Sequence, residues 1–179
     1  MTFRFLVAFA AMVLFTGWAH SQDVKFDPEK SKIDFLGKKT DGKHAGGFKE
    51  FEATAKVDWD EPANSTLAIE IKTDSLWSDD KNLTQHLRNP DFFDVKKYPT
   101  IKFESTEIDS TETEGTITGK LTMLGKTAEL AVPVEVKIDD EQIVLIAKFK
   151  LDRTKWGMNY GRPKVDDNVE ITANLRFKR

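Results

Sequence analysis

The 179-residue sequence contains no cysteine, which excludes a disulfide framework and leaves no thiol for lipid attachment after the apolar N-terminal segment. An excess of charge is also missing, because 27 Lys and Arg against 30 Asp and Glu give a net charge of −3. Nucleic-acid-binding domains need a basic patch that such a mixed, mildly acidic composition does not supply. We therefore expect no nucleic-acid partner and a fold held together by its hydrophobic core alone.

Sequence motifs for catalysis and metal binding are absent as well. After the first 21 residues the histidines are His44 and His86, and the chain has no His-Glu-x-x-His pair, no Gly-x-Ser-x-Gly elbow and no glycine-rich phosphate loop. Catalytic triads assemble from residues scattered along a sequence, so missing motifs do not exclude an enzyme. They leave no catalytic residue, metal ligand or cofactor to nominate.

The hydrophobic run at the N-terminus is short. Arg4 precedes the apolar run Phe5–Phe15, and small residues then lead to Ser21, which is the pattern of a secretory signal peptide. The run falls short of the ~20 residues that a membrane-spanning helix needs. We expect residues 1–21 to be the signal peptide, cleaved near Ser21, and residues 22–179 to form one periplasmic or secreted domain without a stable membrane span.

The rest of the chain is rich in alternating apolar and polar residues. Phe51–Trp59 alternates strictly, as expected of a half-buried strand, and a first strand is expected near Ile33–Phe35. The same alternation predicts six further strands: Leu67–Ile71, Ile101–Phe103, Ile117–Met123, Leu130–Ile138, Ile143–Leu151 and Val169–Phe177. Short turn-rich links between most of these eight strands indicate antiparallel hairpins.

A single helix is expected in the segment before Pro90. Ser78, Asp79 or Asp80 can cap it, and Leu83 and Leu87 would share one face. The chain is therefore all-β with one short helix, arranged as a two-sheet sandwich or a closed barrel. Large and small residues mix on the inward face, which favours an eight-stranded barrel whose interior is either filled by side chains or open to one small ligand.

Two long connectors contain the other residues that could form a functional site. Lys72–Pro99 and Asp152–Asn168 exceed the usual loop length and are rich in aromatic residues, which either plug one barrel end or line the mouth of a cavity. In the first connector Arg88 precedes Asp91 and Asp94 by three and six residues, close enough for an ion pair. That group either fixes the connector or contacts the polar head of a ligand.

Four segments resemble one known family. "HLRNPDFFDVKKYPTIKFES" (86–105), "TGKLTMLGKTAELAVPVEV" (118–136), "LDRTKWGMNYG" (151–161) and "DDNVEI" (166–171) are similar to the YceI-like family of exported, polyisoprenoid-binding, lipocalin-like proteins. The resemblance implies a lipocalin-like extended eight-stranded antiparallel β-barrel with a helix in one connector and an apolar tunnel for a long lipid. It also implies a homodimer.

Alternation, loop aromatics and this resemblance together predict the binding site. The residues expected to line the tunnel are Phe51, Ala53, Val57, Leu67, Ile69, Ile71, Phe103, Leu121, Leu145, Ala147, Phe149 and Leu175. Those expected to gate or floor one end are Trp77, Phe92, Phe93 and Trp156. The residues expected at a polar head group, or in the salt links beside it, are His86, Arg88, Asp91, Asp94, Arg153 and Tyr160.

Three functions are consistent with this site. The first is non-catalytic binding of a long-chain apolar molecule, such as an isoprenoid, a quinone or a fatty amide, by a carrier, store or sensor. The second is an enzyme on an apolar substrate that uses His86 with Asp91 or Asp94 as its base. The third is a structural or interaction barrel filled by its own side chains, and the volume of the cavity separates it from the other two.

Overall fold

A computed structural model describes residues 21–179, and the predicted signal peptide, up to residue 20, lies outside the described residues. Within these described residues, eleven strands and one α-helix follow one another. The strands are β1 (Ser21–Phe26), β2 (Lys32–Lys39), β3 (Gly42–Phe48), β4 (Phe51–Asp58), β5 (Thr66–Lys72), β6 (Leu76–Ser78), β7 (Thr100–Ser110), β8 (Glu114–Met123), β9 (Lys126–Ile138), β10 (Gln142–Asp152) and β11 (Asn168–Lys178). The helix α1 spans Lys81–Leu87.

The strands close into an antiparallel barrel of eight positions. Going round it, β4, β5, β7, β8, β9, β10 and β11 pair in turn, and β1 pairs with both β4 and β11 to complete the ring. Strand β2 also pairs with β11 and continues the position of β1, while β3 pairs with β2 and leads into β4. Strand β6 adds to the free edge of β3. The predicted eight-stranded barrel with one helix in a connector is confirmed.

Antiparallel pairing places both long connectors at the same end of the barrel. Strands β5 and β7 are joined by residues 73–99, and β10 and β11 by residues 153–167. The β2–β3 hairpin turns at the same end, where Lys39 bridges to Val165 of the second connector. We call this the connector end, and the end with the short turns 59–65, 111–113 and 139–141 the turn end.

Strand β3, which the alternation pattern did not predict, is rich in glycine (GKHAGGF). Gly46 and Gly47 lie where β2 and β6 approach so closely that a side chain would collide with them. A Cβ atom on Gly46 would overlap the Phe35 ring, and one on Gly47 would lie 2.6 Å from the Asp34 Oδ1 atom. Glycine is therefore required by packing at positions where strand propensity is low.

Helix α1 begins and ends as expected from the sequence. The Asp80 carboxylate accepts a hydrogen bond from the Leu83 backbone N–H (2.7 Å), which caps the first turn. The helix ends before Pro90, and Leu87 is buried. Leu83 and Leu87 face the barrel interior, so the helix lies as a partial cover across the connector end.

Candidate functional site

The barrel encloses a cavity of about 280 Å³. Its wall is built by residues of β2, β3, β5 and β7 to β11, together with α1 and both long connectors. Along β10 the wall runs from Leu145 to Leu151, and six residue steps at ~3.3 Å give a length of ~20 Å. The barrel is thus not filled by its own side chains, which argues against the purely structural alternative.

Most of the residues predicted to line the tunnel lie on this wall. Nine of them surround the cavity: Leu67, Ile69, Ile71, Phe103, Leu121, Leu145, Ala147, Phe149 and Leu175. Phe92 and Phe93, which were predicted to gate or floor one end, also line it. Ala147 sits between Val134 and Ala173 on the neighbouring strands, and both of these also face the cavity. Period-2 alternation identified the wall positions on the strands because one face of each strand points inward.

The three residues predicted on β4 lie elsewhere, and this corrects the expected wall. Phe51, Ala53 and Val57 do not reach the cavity. The Phe26 ring of β1 packs 5.8 Å from the ring of Phe51 and 5.6 Å from that of Phe177, so aromatic side chains fill this side of the barrel. Strand β1 was not predicted, and its side chains take the space that the β4 residues were expected to face.

The two tryptophans are also absent from the cavity wall. Trp156 is 1% exposed, and its indole N–H donates to the Leu121 carbonyl oxygen (2.9 Å), so it is a fixed part of the core rather than a gate. Trp77 lies on β6, opposite Gly47, where its ring covers the backbone of β3. Trp77 is half-buried at the outer edge of the sheet and does not line the cavity, so it does not gate or floor one end as predicted.

Several wall residues were missed although the sequence signal was present. Leu130, Val132 and Val134 alternate along β9 within a predicted strand and face the cavity. The other wall residues that were not predicted are Ile33, Phe35, Gly37, Lys38, Lys39, His44, Phe48, Leu83, Leu87, Ile101, Ile117, Met123, Leu151, Met158, Val165, Val169, Ile171 and Ala173. Those that lie on predicted strands could have been identified from the same period-2 alternation.

Polar side chains on the wall are few and lie together. They are Lys38, Lys39, His44 and Arg153, and all four belong to the connector end. Of the polar residues predicted from the sequence, Arg153 therefore reaches the cavity. At the turn end the wall is formed by apolar side chains such as Leu67 and Leu145.

Arg153 is 2% exposed and binds backbone carbonyl groups rather than a carboxylate. Its Nε donates to Asp166 O (2.9 Å), Nη1 to Met158 O (2.7 Å) and Nη2 to Val165 O (3.1 Å). Burial lowers the pKa of the guanidinium, partly offset by nearby Asp167, but an arginine of this kind stays charged. Arg153 thus holds the second connector in place and puts a buried positive charge beside the cavity.

Two of the other polar wall residues, Lys38 and His44, have partners outside the cavity. The Lys38 ammonium binds the Glu170 carboxylate (2.6 Å), which raises the pKa of Lys38 and lowers that of Glu170. The His44 Nδ1 atom lies 2.9 Å from Asp79 Oδ1. The Ala45 backbone N–H donates to the other Asp79 oxygen, and these two bonds, the backbone one first, lower the pKa of Asp79.

The remaining polar residues of the first connector lie outside the cavity. His86 Nε2 is 2.9 Å from Asp91 Oδ2, and the His86 ring packs edge-on against Phe92 and Tyr160, each with a centroid distance of 5.0 Å. This aromatic contact joins the two connectors on the outer surface. His86 does not line the cavity, so a base there would not contact a substrate inside it, which weighs against the enzymatic alternative.

Arg88 does not pair with either predicted carboxylate. Its Nη2 atom donates to the carbonyl oxygens of Asp74 (2.8 Å) and Leu76 (3.1 Å), so it ties the end of α1 to the segment before it. Asp91 pairs with His86 instead, and Asp94 adopts a positive φ of 43° in the turn that follows. Of the two predicted alternatives, Arg88 therefore fixes the connector and does not contact the polar head of a ligand. Its partners are backbone carbonyl groups.

Within residues 21–179, no cluster of three or more His, Asp or Glu side chains is arranged to hold a metal ion. Within the same range, no helix has the length and apolar character needed to cross a membrane.

An eight-stranded antiparallel barrel with an apolar interior cavity is the architecture of lipocalin-like binding proteins. The chain belongs to the YceI-like family, because the family model for the YceI-like domain matches residues 25–177.

Curated relatives and solved structures agree with this assignment. A UPF0312 protein of Pseudomonas putida strain GB-1 is 37% identical over 128 residues, which span 68% of this chain and 65% of the relative. The chain therefore matches slightly less than two thirds of that relative's length. The crystal structure of BcnA from Burkholderia cenocepacia is 28% identical, with a TM-score of 0.79 over 85% of this chain and 99% of that one.

A more distant structure shares the fold. A domain from Saccharophagus degradans, described as polyisoprenoid-binding, is 11% identical and has a TM-score of 0.69 over 89% of this chain and 99% of its own.

Proposed function

We propose that the protein binds one long-chain apolar molecule in the barrel cavity without converting it chemically. The observation that carries the proposal is the cavity itself, whose wall is apolar except for four residues at the connector end. An isoprenoid, a quinone or a fatty amide fits this description. The Saccharophagus degradans domain, described as polyisoprenoid-binding, adds support because it has the same fold.

The cavity is large enough to bind an apolar chain with useful affinity. A cavity of ~150 Å³ holds benzene, with six carbons, so about 280 Å³ accommodates roughly a dozen carbon atoms. Each buried CH₂ contributes ~0.8 kcal/mol, which gives ~10 kcal/mol before the costs of association and ordering are subtracted. Apolar burial alone is therefore sufficient for binding, with no need for a catalytic group.

An empty cavity of this size would be costly. At ~24 cal/mol per Å³, about 280 Å³ corresponds to an upper limit of ~7 kcal/mol, comparable with the whole stability of a domain. We therefore expect the protein to be purified with a ligand inside and to be considerably less stable after delipidation.

Extraction with organic solvent followed by mass spectrometry tests this proposal. We expect one apolar molecule per chain, released by solvent and absent from protein refolded after delipidation. Returning a ligand at 100 times its Kd to the refolded protein adds ~2.7 kcal/mol, or a rise in Tm of ~5–10 °C. If no stoichiometric molecule is extracted and none of the lipids added raises the Tm, the proposal is wrong.

We further propose that the protein acts as a carrier, store or sensor in an exported compartment. The support is the secretory pattern of residues 1–21. Cell fractionation and N-terminal sequencing would test it, and we expect the exported chain to begin near Gln22. Native mass spectrometry of the recovered complex would give the ligand mass and also test the homodimer that the family resemblance implies.

A further inference from the structure

We propose that the bound molecule is an anionic amphiphile, with a carboxylate or phosphate head group held at the connector end and its chain extending toward the turn end. This inference rests on the proposed apolar binding and specifies the chemical class of the ligand. It is carried by the distribution of charge along the cavity.

The cavity wall is polar at one end only. Lys38, Lys39, His44 and Arg153 supply every polar side chain on the wall, and no Asp or Glu side chain among the described residues lines it. A ligand with one polar group would therefore place that group at the connector end, because elsewhere it would lose its hydrogen bonds to water. All the charged groups that it would meet on the wall are cations.

Two further lysines, Lys43 and Lys164, belong to backbone segments at the same rim. Lys43 lies opposite Lys38 across the β2–β3 hairpin, and the Lys164 carbonyl accepts a hydrogen bond from the Thr40 backbone N–H (2.9 Å). Lys39 forms none of the salt bridges found among the described residues. Its exposed ammonium group therefore remains available to a ligand.

The carboxylates near this rim do not line the wall, and two of them have partners. Glu170 binds Lys38, and Asp79 binds His44 together with the Ala45 backbone. Asp166 lies close enough to Lys38 to raise its pKa, and Asp41 is in the exposed hairpin turn. None of the four lines the cavity. Glu170 neutralises Lys38, so the exposed cation that remains for a head group is Lys39, beside the buried guanidinium of Arg153.

Lysine is suited to this arrangement. Its four-carbon stem can lie against the apolar wall while the ammonium group stays in water, where it attracts carboxylate or phosphate as a point charge. The head group would remain at the rim and keep part of its hydration, which avoids the cost of burying an ion. A rim interaction of this type weakens as salt is added.

The test compares two probes with the same chain, one with a charged and one with a methylated carboxyl group. Delipidated protein is titrated with cis-parinaric acid and with its methyl ester, at low and high ionic strength. We expect the acid to bind up to about fivefold more tightly than the ester at low salt, the effect of one exposed ion pair with Lys39. The preference should shrink at high salt, while the affinity for the ester stays the same.

Two lysine variants then test which side chain supplies the positive charge. Lys39→Gln should lower the affinity for the acid and leave that for the ester unchanged. Lys148→Gln is the matched control, since Lys148 is exposed on β10, pairs with Thr172 and does not line the cavity. It should leave both affinities unchanged, and thermal melts check that each variant is folded.

Competition experiments then identify the type of head group that the protein prefers. Hexadecanoate and hexadecyl phosphate each displace bound cis-parinaric acid, and the stronger competitor identifies a carboxylate or a phosphate. Equal binding of acid and ester, or displacement by hexadecylamine at lower concentration than by either anion, would overturn the inference and leave apolar binding intact. If neither the acid nor the ester binds, the proposed function itself fails.

Discussion

Replacing Ala147 with Phe should block ligand binding without unfolding the barrel. Ala147 is 6% exposed and lies midway along the cavity wall on β10, opposite Val134 and Ala173. Since a cavity of ~150 Å³ holds a benzene molecule, the added phenyl ring would occupy about half of the roughly 280 Å³ available. Too little continuous space would remain for a long chain.

The stability of the same variant should move in the opposite direction. Filling ~150 Å³ at ~24 cal/mol per Å³ recovers up to ~4 kcal/mol of cavity cost, offset by ~1–3 kcal/mol if the ring is strained. We therefore expect the melting temperature of the delipidated variant to equal or exceed that of the delipidated wild type. Loss of binding together with retained stability distinguishes a blocked cavity from a damaged fold.

Titration with cis-parinaric acid and thermal unfolding measure the two effects. The matched control is Ala131→Phe, because Ala131 is exposed on the adjacent strand β9 and should leave binding unchanged. A folded Ala147→Phe variant that binds like the wild type would refute the placement of the chain in this cavity. If Ala147→Phe does not fold, Ala147→Leu should show a partial loss of affinity.

The remaining predictions concern the contacts that hold the connector end together. Arg153→Leu should lower the free energy of unfolding by at least ~3 kcal/mol in denaturant melts, because three carbonyl groups lose their donor, and Arg153→Lys should recover only part of it. Trp156→Phe should cost ~2 kcal/mol by removing the indole donor to the Leu121 carbonyl, and a loss near zero would contradict this hydrogen bond. The pKa of Asp79 is below its ordinary value of 3.8 in the folded protein, so its contribution to stability is full above that pH and is lost as the pH falls through the folded-state pKa. Asp79→Asn should therefore destabilise the protein at pH 7, and melts at descending pH should show its stability converging with that of the wild type.

Local sequence patterns were sufficient for the helix and for eight of the eleven strands found in residues 21–179. Alternation over Phe51–Trp59 predicted a strand that the structure places at Phe51–Asp58, and Pro90 marked where α1 had to end. Each of these features depends on neighbours in the chain, since side-chain direction in a strand and capping in a helix are set within a few residues. The family resemblance added the closed barrel, which the pattern itself could not separate from a sandwich.

The composition of the cavity wall depended on which strands are neighbours in space. Alternation placed Phe51 on an inward face correctly, but it could not show that Phe26 would fill the space in front of it. Strand β3 escaped prediction because Gly46 and Gly47 are selected by the close approach of β2 and β6, a contact between segments far apart in sequence.

The sequence by itself determined the all-β class, the eight barrel positions, the short helix and the apolar character of the inward faces. Tertiary structure decided that the barrel closes through β1 and β11, that one side is packed with aromatic rings while the other stays open, and that Lys38, Lys39, His44 and Arg153 meet at one end. The physical reason is that period-2 patterning specifies only a direction, inward or outward. The long-range pairing of strands determines what each inward side chain meets.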